Sequence, residues 1–283
     1  MRPGGIASLG PAPEPHAVRP KLTLRGVSKS FVSARGDRRA ALEDISFEVA
    51  AGELVCLLGP TGSGKSTILN LLAGLERPDR GEVLIDGRPI KEPGPDRAML
   101  FQDPALFPWM SLRGNVEFAL RMVKVPPDER GDRAEAWLAK VHLARFADAQ
   151  PHELSAGMRQ RAALARALAC HPEVLLADEP FGALDAQTRE LLQTEVTQAW
   201  AETGTTLVFV THNVREAALL ADRVLLMSAP PGTLLEEYRI WVPRPRALDD
   251  TLLSRTVTDI HDELQREVDK VVARETGEPA DLA

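Results

Sequence analysis

The segment Gly59-Pro60-Thr61-Gly62-Ser63-Gly64-Lys65-Ser66 constrains this chain more than any other stretch. It fits G-x-x-x-x-G-K-[ST], a loop whose backbone N–H groups turn inward upon phosphate oxygens. Its glycines allow the tight turn that residues with a Cβ resist. An apolar run over 53–58 precedes the loop and reads as a strand, and Lys65 to Leu72 follows as a helix. That order points the positive N-terminal end of a helix at the phosphates, with Thr67 in its first turn. On this chemistry Lys65 reaches the β- and γ-phosphates and the Ser66 hydroxyl holds Mg²⁺. The loop alone establishes an NTP-binding chain, for GTPases, small-molecule kinases and motor ATPases all use it. The guanine-reading Asn-Lys-x-Asp pattern is absent, which favours ATP.

A second run, Val174-Leu175-Leu176-Ala177-Asp178-Glu179-Pro180, is a buried strand ending in two carboxylates. In a parallel sheet such an end lies beside the phosphate loop, where ligands bind. Asp178 suits Mg²⁺, and Glu179, one residue on, suits a base that polarises the attacking water.

Around these two runs, strands alternate with helices. Leu22 to Leu24, Ile45 to Val49, Val83 to Gly87, Ala98 to Phe101, Thr206 to Val210, Val224 to Met227 and the stretch Leu234 to Val242 read as strands. Helices are expected over Ala186 to Glu202 and from Val214. The pattern predicts an α/β core with a central, largely parallel sheet, an antiparallel β portion and an inserted helical subdomain over about 103–170. Pro3, Pro11, Pro13, Pro15 and Pro20 mark residues 1–20 as a flexible tail, and 21–242 as the main domain. Beyond Pro243 and Pro245, Ile260, Leu264, Val268 and Val272 recur every four residues. That spacing makes 243–283 an extension with an amphipathic helix, packed on its own domain or on a partner.

The formal charge of −7 argues against nucleic acid as a partner. Cys56 and Cys170 sit in apolar runs and read as small buried hydrophobes. No apolar run approaches the roughly 20 residues of a membrane-spanning helix, and the N-terminus has no apolar signal region. The expectation is a cytoplasmic protein that meets a membrane only through partners.

Further motifs carry a family resemblance. Leu154-Ser155-Ala156-Gly157-Met158-Arg159-Gln160-Arg161 resembles the signature motif of ABC ATPases, placed shortly before the Asp178-Glu179 strand as in that family. Gln102 matches the family's Q-loop, Gly182-Ala183-Leu184-Asp185 its D-loop, His212 its switch histidine and Phe31 its adenine-stacking aromatic residue. The resemblance runs from about Leu22 to Val242 with every motif in order. It implies an ABC-type P-loop NTPase domain that forms a head-to-tail dimer, with itself or a homologous subunit, around two ATP molecules. Ser155, Ala156, Gly157 and Met158 of one subunit would face the nucleotide of the other. Gln102 would sense the metal and the lytic water, His212 would contact the γ-phosphate, and Asp185 would couple the two sites. Two positions depart from the pattern: Ala156 stands where the family has Gly, and Met158 where it often has Gln. Alanine fits there only if the backbone is near-helical.

The stretch Gly94 to Met110 resembles the Q-loop region of nitrate, sulfonate and taurine importers. This implies uptake of a small anion or sulfonate-like solute, through a separate integral membrane permease served by an extracytoplasmic substrate-binding protein. Phe107, Pro108 and Trp109 are apolar residues in a loop, a seat for a partner's helix or a cover for this chain's own core. An exporter ATPase and a non-transport ABC ATPase are the other classes the motifs admit. The latter usually carries two cassettes or a long coiled-coil insertion, whereas this chain has one phosphate loop and no heptad run.

Overall fold

The computed structural model describes residues 19–33, 36–182 and 184–276. Residues 1–18 of the expected tail, and Ala183 of the D-loop motif, lie outside them. Two long strands come first, β1 (Pro20–Val32) and β2 (Arg38–Ala50), paired antiparallel. Their alternating apolar residues, Leu22, Leu24, Ile45, Phe47 and Val49 among them, point into one core. β3 (Leu54–Leu58) is buried along its whole length, as befits a parallel strand covered on both faces. Its pleat sends Leu54, Cys56 and Leu58 to one core and Val55 and Leu57 to another.

The phosphate loop leads into α1 (Lys65–Ala73), which Gly74 ends at φ 78°. β4 (Arg80–Ile85) and β5 (Arg88–Pro89) complete an antiparallel sheet ordered β2-β1-β4-β5. β4 stops two residues short of the sequence expectation. Asp86 and Gly87 both take positive φ, 48° and 73°, and form a two-residue hairpin turn instead. β6 (Arg97–Leu100) likewise ends before Phe101.

The chain then leaves the sheet for the helical lobe, built of α2 (Leu112–Met122), α3 (Pro127–Lys140) and α4 (Ala156–Ala169). Ser111 and Ser155 cap α2 and α4 through their hydroxyls, satisfying N–H groups that the first turn leaves free. Pro127 opens α3, where its missing N–H costs nothing. β7 (Val174–Asp178), α5 (Ala186–Thr203), β8 (Thr206–Thr211), α6 (Val214–Leu220), β9 (Arg223–Met227) and β10 (Leu234–Arg239) complete the second sheet. Its order is β10-β9-β3-β8-β7-β6, parallel throughout except at the β10 edge. One face packs against the helical lobe, α5 and α6, and the other against α1 and the antiparallel sheet. Cys56 is fully buried, but Cys170 is only partly so, a correction to the reading of both as core residues.

The terminal helix, α7 (Thr251–Thr276), packs on its own domain beside α6. Leu253 and Ile260 are fully buried and Leu264 nearly so, all in the core shared with the helical lobe, while Val272 is exposed. Arg246 secures the link. Its guanidinium donates to the carbonyls of Ala218, Leu219 and Ala221 at the end of α6 and to those of Ile240 and Val242. Burial brings its pKa down to about 10. Replacing Ile260 by Ala is expected to cost about 2–5 kcal/mol in equilibrium denaturation. A loss under about 1 kcal/mol, the scale of a surface change, would show that α7 is not part of this core.

Candidate nucleotide site

The phosphate loop is held in shape from behind. Gly62 and Gly64 adopt positive φ, 82° and 86°, which only glycine takes cheaply. Gly64 also has no room for a side chain, since a Cβ there would stand 2.4 Å from Leu42 Cδ2 on β2. A Cβ on Gly59 would lie 2.9 Å from Ser63 Oγ and 3.0 Å from Met227 O at the end of β9. Lys65 is 7% exposed, and its ammonium donates to Gly59 O at 2.8 Å, Pro60 O at 2.9 Å and Ser63 Oγ at 3.3 Å. Burial lowers its pKa, against the pull of Glu179 and Asp178. A dehydrated cation whose hydrogen bonds all go to neutral oxygens gains from an anion within reach.

The carboxylates converge on the same place. Ser66 Oγ, in the first turn of α1, donates to Asp178 Oδ1 at 3.0 Å, joining β7 to the loop. Burial raises the Asp178 pKa, with a further push from Glu179. These are hard oxygen donors of the kind Mg²⁺ takes. Among the described residues no group of three or more His, Cys, Asp or Glu side chains could hold a metal by itself. Glu179 stands at φ 42°, a strained value for a residue with a Cβ, and its N–H donates to Val210 O at 3.1 Å on β8. That turn carries its carboxylate to His212, where Oε2 and Nδ1 are 3.3 Å apart.

The other predicted residues gather around the start of α4. Ser155 is its N-cap, with its hydroxyl accepting from Met158 N at 3.3 Å. Ala156 is the first helical residue and has no positive φ, so alanine fits the position that the family gives to glycine. Gly157 is required by packing, for a Cβ there would meet Thr188 Cγ2 at 2.3 Å. Asp185 caps α5 at that same Thr188, accepting its N–H at 3.0 Å, which holds the Asp185 carboxyl below its ordinary pKa. Gln102 is exposed just after β6. Phe31 is half exposed near the end of β1, with Lys29 Nζ 5.2 Å from its ring centre. It pairs with Arg39 on β2, two residues beyond Lys29, whose partner Leu42 backs Gly64.

Several supporting residues escaped the sequence reading. Gln160 Nε2 donates to Phe101 O at 3.2 Å, and Arg166 donates to Ala105 O at 2.8 Å and Pro104 O at 3.0 Å. The signature helix therefore holds the Gln102 loop directly. Glu216 is buried and accepts from Gln193 Nε2 at 2.8 Å and from Thr211 Oγ1, which braces the strand end carrying His212. Burial raises its pKa. Asn213 followed three residues later by Glu216 is a helix-start pattern and could have pointed to it. Gly232 had no sequence signal. A Cβ there would stand 2.0 Å from Ser63 O. In Gly232→Ala the loop must move, and overpacking strain of about 1–3 kcal/mol is expected to lower ATP affinity by about 5- to 150-fold in a nucleotide titration. Unchanged affinity would mean that the loop tolerates displacement.

Comparison with known proteins identifies the family. The family described as ABC transporter matches residues 42–182. The chain is 46% identical over 222 residues to the nitrate import ATP-binding protein NrtD of Synechocystis sp., a match spanning 78% of this chain and 83% of that protein. It is 44% identical over 259 residues to the taurine import ATP-binding protein TauB of Burkholderia thailandensis, across 89% and 99% of the two. The dimeric post-hydrolysis structure of the ATP-binding cassette MJ0796 with ADP and Pi superposes with a TM-score of 0.70 at 32% identity, over 78% of this chain and 100% of that one. A phosphate loop, paired carboxylates and a histidine on one sheet edge, with these relatives, place the chain in the ABC transporter family as an ATP-binding subunit that hydrolyses ATP.

Proposed function

We propose that this chain powers uptake of a small anion or sulfonate-like solute through a separate membrane permease, as one half of a head-to-tail ATPase dimer. The observation that carries the reading is the convergence of Lys65, Asp178, Glu179 and His212 at the C-terminal ends of β3, β7 and β8. Importer direction and solute class are supported by the nitrate and taurine import relatives. A membrane partner is supported by the same importer relatives; among the described residues no helix is long and apolar enough to cross a membrane. On this reading the chain works at the cytoplasmic face of the inner membrane, and an extracytoplasmic binding protein delivers the solute to the permease.

The chemistry follows from the side chains. Lys65 gives up the loop carbonyls for the β- and γ-phosphates, while the loop from Gly59 to Thr67, Pro60 apart, wraps the phosphates with N–H groups. Ser66 and Asp178 would hold Mg²⁺, which neutralises phosphate charge when bound. Glu179 takes the proton of the attacking water, with His212 beside it at the γ-phosphate and Gln102 at the edge of the site. Ser155 and the N–H of Gly157, at the start of α4, close the nucleotide of the opposite subunit, with Ala156 and Met158 around them. Asp185 couples the two sites because its cap and Gly157 meet at Thr188. Phe31 stacks on adenine.

The permease seat lies on the helical lobe. Trp109 and Pro108 are exposed, while Phe107 packs edge-on against Phe118 at 4.7 Å. Asn115 is fully buried and ties the loop down, accepting from Phe107 N at 2.8 Å and donating to the carbonyls of Phe107, Met110 and Ser111. A rigid aromatic face of this kind suits the helix of a partner.

Glu179→Gln is expected to slow ATP turnover by about 10²–10⁴-fold while keeping ATP-dependent dimerisation in size-exclusion chromatography. Near-normal hydrolysis would remove Glu179 from the base role. The same variant, trapped with ATP and Mg²⁺ and recovered from solubilised native membranes, is expected to bring a multi-helix permease with it. Ribosomal proteins or DNA in place of a permease would refute the transport assignment.

A further inference from the structure

Glu267 has no part in the nucleotide chemistry, yet it is 1% exposed on α7, where neighbouring Arg266, Asp269 and Lys270 stand in solvent. Burying a carboxylate is costly unless its oxygens are paired. Both are. Oε2 accepts the N–H of Ala229 at 2.7 Å, and Oε1 pairs with Lys270 Nζ. Arg274, about two helical turns further on, donates to Pro230 O. Two side chains of α7 therefore grip successive residues of the segment that joins β9 to β10.

That segment is itself knitted shut. Ser228 Oγ accepts from Thr233 N at 2.9 Å and donates to Pro231 O at 3.0 Å. Its other side faces the phosphate loop. Pro230 Cγ lies 3.3 Å from the position a Cβ on Gly62 would take, and Gly232 presses on Ser63 O. Gly232 is also tied to β2, donating to Ala41 O at 3.0 Å and accepting from Glu43 N at 2.9 Å. Residues 228–233 form a wedge with α7 behind it and the phosphate cradle in front.

We infer that α7 positions the phosphate loop, with Glu267 and Arg274 as positioning residues, so that the seating of the C-terminal helix sets the affinity for nucleotide. The inference rests on the phosphate loop being the nucleotide site. While Glu267 holds Ala229, Pro230 and Gly232 stay packed on Gly62 and Ser63, and the loop keeps its path. When that grip is lost the wedge slackens and binding weakens. Hydrolysis is spared, because Glu179 is fixed by Val210 and the His212 strand by Glu216.

The test uses the full chain with Glu267→Ala, Glu267→Gln and Arg274→Ala. The readouts are KM and kcat for ATP and the affinity for trinitrophenyl-ATP. Glu267→Ala is expected to raise KM and Kd about tenfold, the scale of one lost hydrogen bond to a charged group, with kcat at saturation within about twofold. Glu267→Gln keeps an oxygen for the Ala229 N–H and is expected to restore most of the affinity. Arg274 is exposed near the end of the helix, so Arg274→Ala folds and decides the matter if Glu267→Ala does not; it is expected to shift KM the same way. Unchanged KM and Kd in Arg274→Ala and in any folded Glu267→Ala overturn the inference. So does a fall in kcat at constant KM, which would assign α7 to the α6 and His212 side. Lys65→Ala, run in parallel, separates the two ideas, for normal trinitrophenyl-ATP binding in that variant would instead defeat the nucleotide-site reading.

Discussion

The nucleotide site depends on how closely backbone can approach backbone around the phosphate loop. Three glycines, Gly59 and Gly64 within the loop and Gly232 far along the chain, let the loop sit against Leu42 on β2, the end of β9 and the segment that follows it. That closeness restrains the path of the loop, and a fixed path is what a phosphate cradle needs. It also explains why Lys65 can lie buried in its own shell of carbonyls. An anion placed there would meet a lysine that burial has stripped of water, where charge pairing is worth most.

Two cores on opposite faces of one sheet divide the labour. The face with α1 and the antiparallel sheet supports the phosphate loop, and the face with the helical lobe supports the signature motif. α4 carries both kinds of information. Its start presents Ser155 and Gly157, and further along Gln160 and Arg166 hold the loop of Gln102. The signature and the Q-loop are therefore mechanically one piece. The Gly157 contact with Thr188 then joins that piece to the cap of α5 at Asp185, so a rotation of the lobe must be felt there.

Much of this architecture was legible in the residues. Alternation in β1 and β2 and an unbroken apolar β3 are local patterns with local causes. Errors fell where one turn residue decides, as at Asp86-Gly87, because strand propensity and hairpin geometry compete over two positions. The concern over Ala156 disappears for a related reason, since the position is helical and makes no demand for positive φ.

Sequence alone pointed to the chemistry of the site. Lys65, Ser66, Asp178 and Glu179 stand out because phosphate binding and water activation need those groups at the ends of strands and helices, while His212 entered through the family resemblance. Tertiary structure alone decided what holds them there. Gly232, Gln160, Glu216 and Glu267 lie far along the chain from the groups they support, and each owes its role to a contact that no local spacing encodes. A buried carboxylate such as Glu267 looks like any other charge on an amphipathic helix until packing shows which face it turns inward.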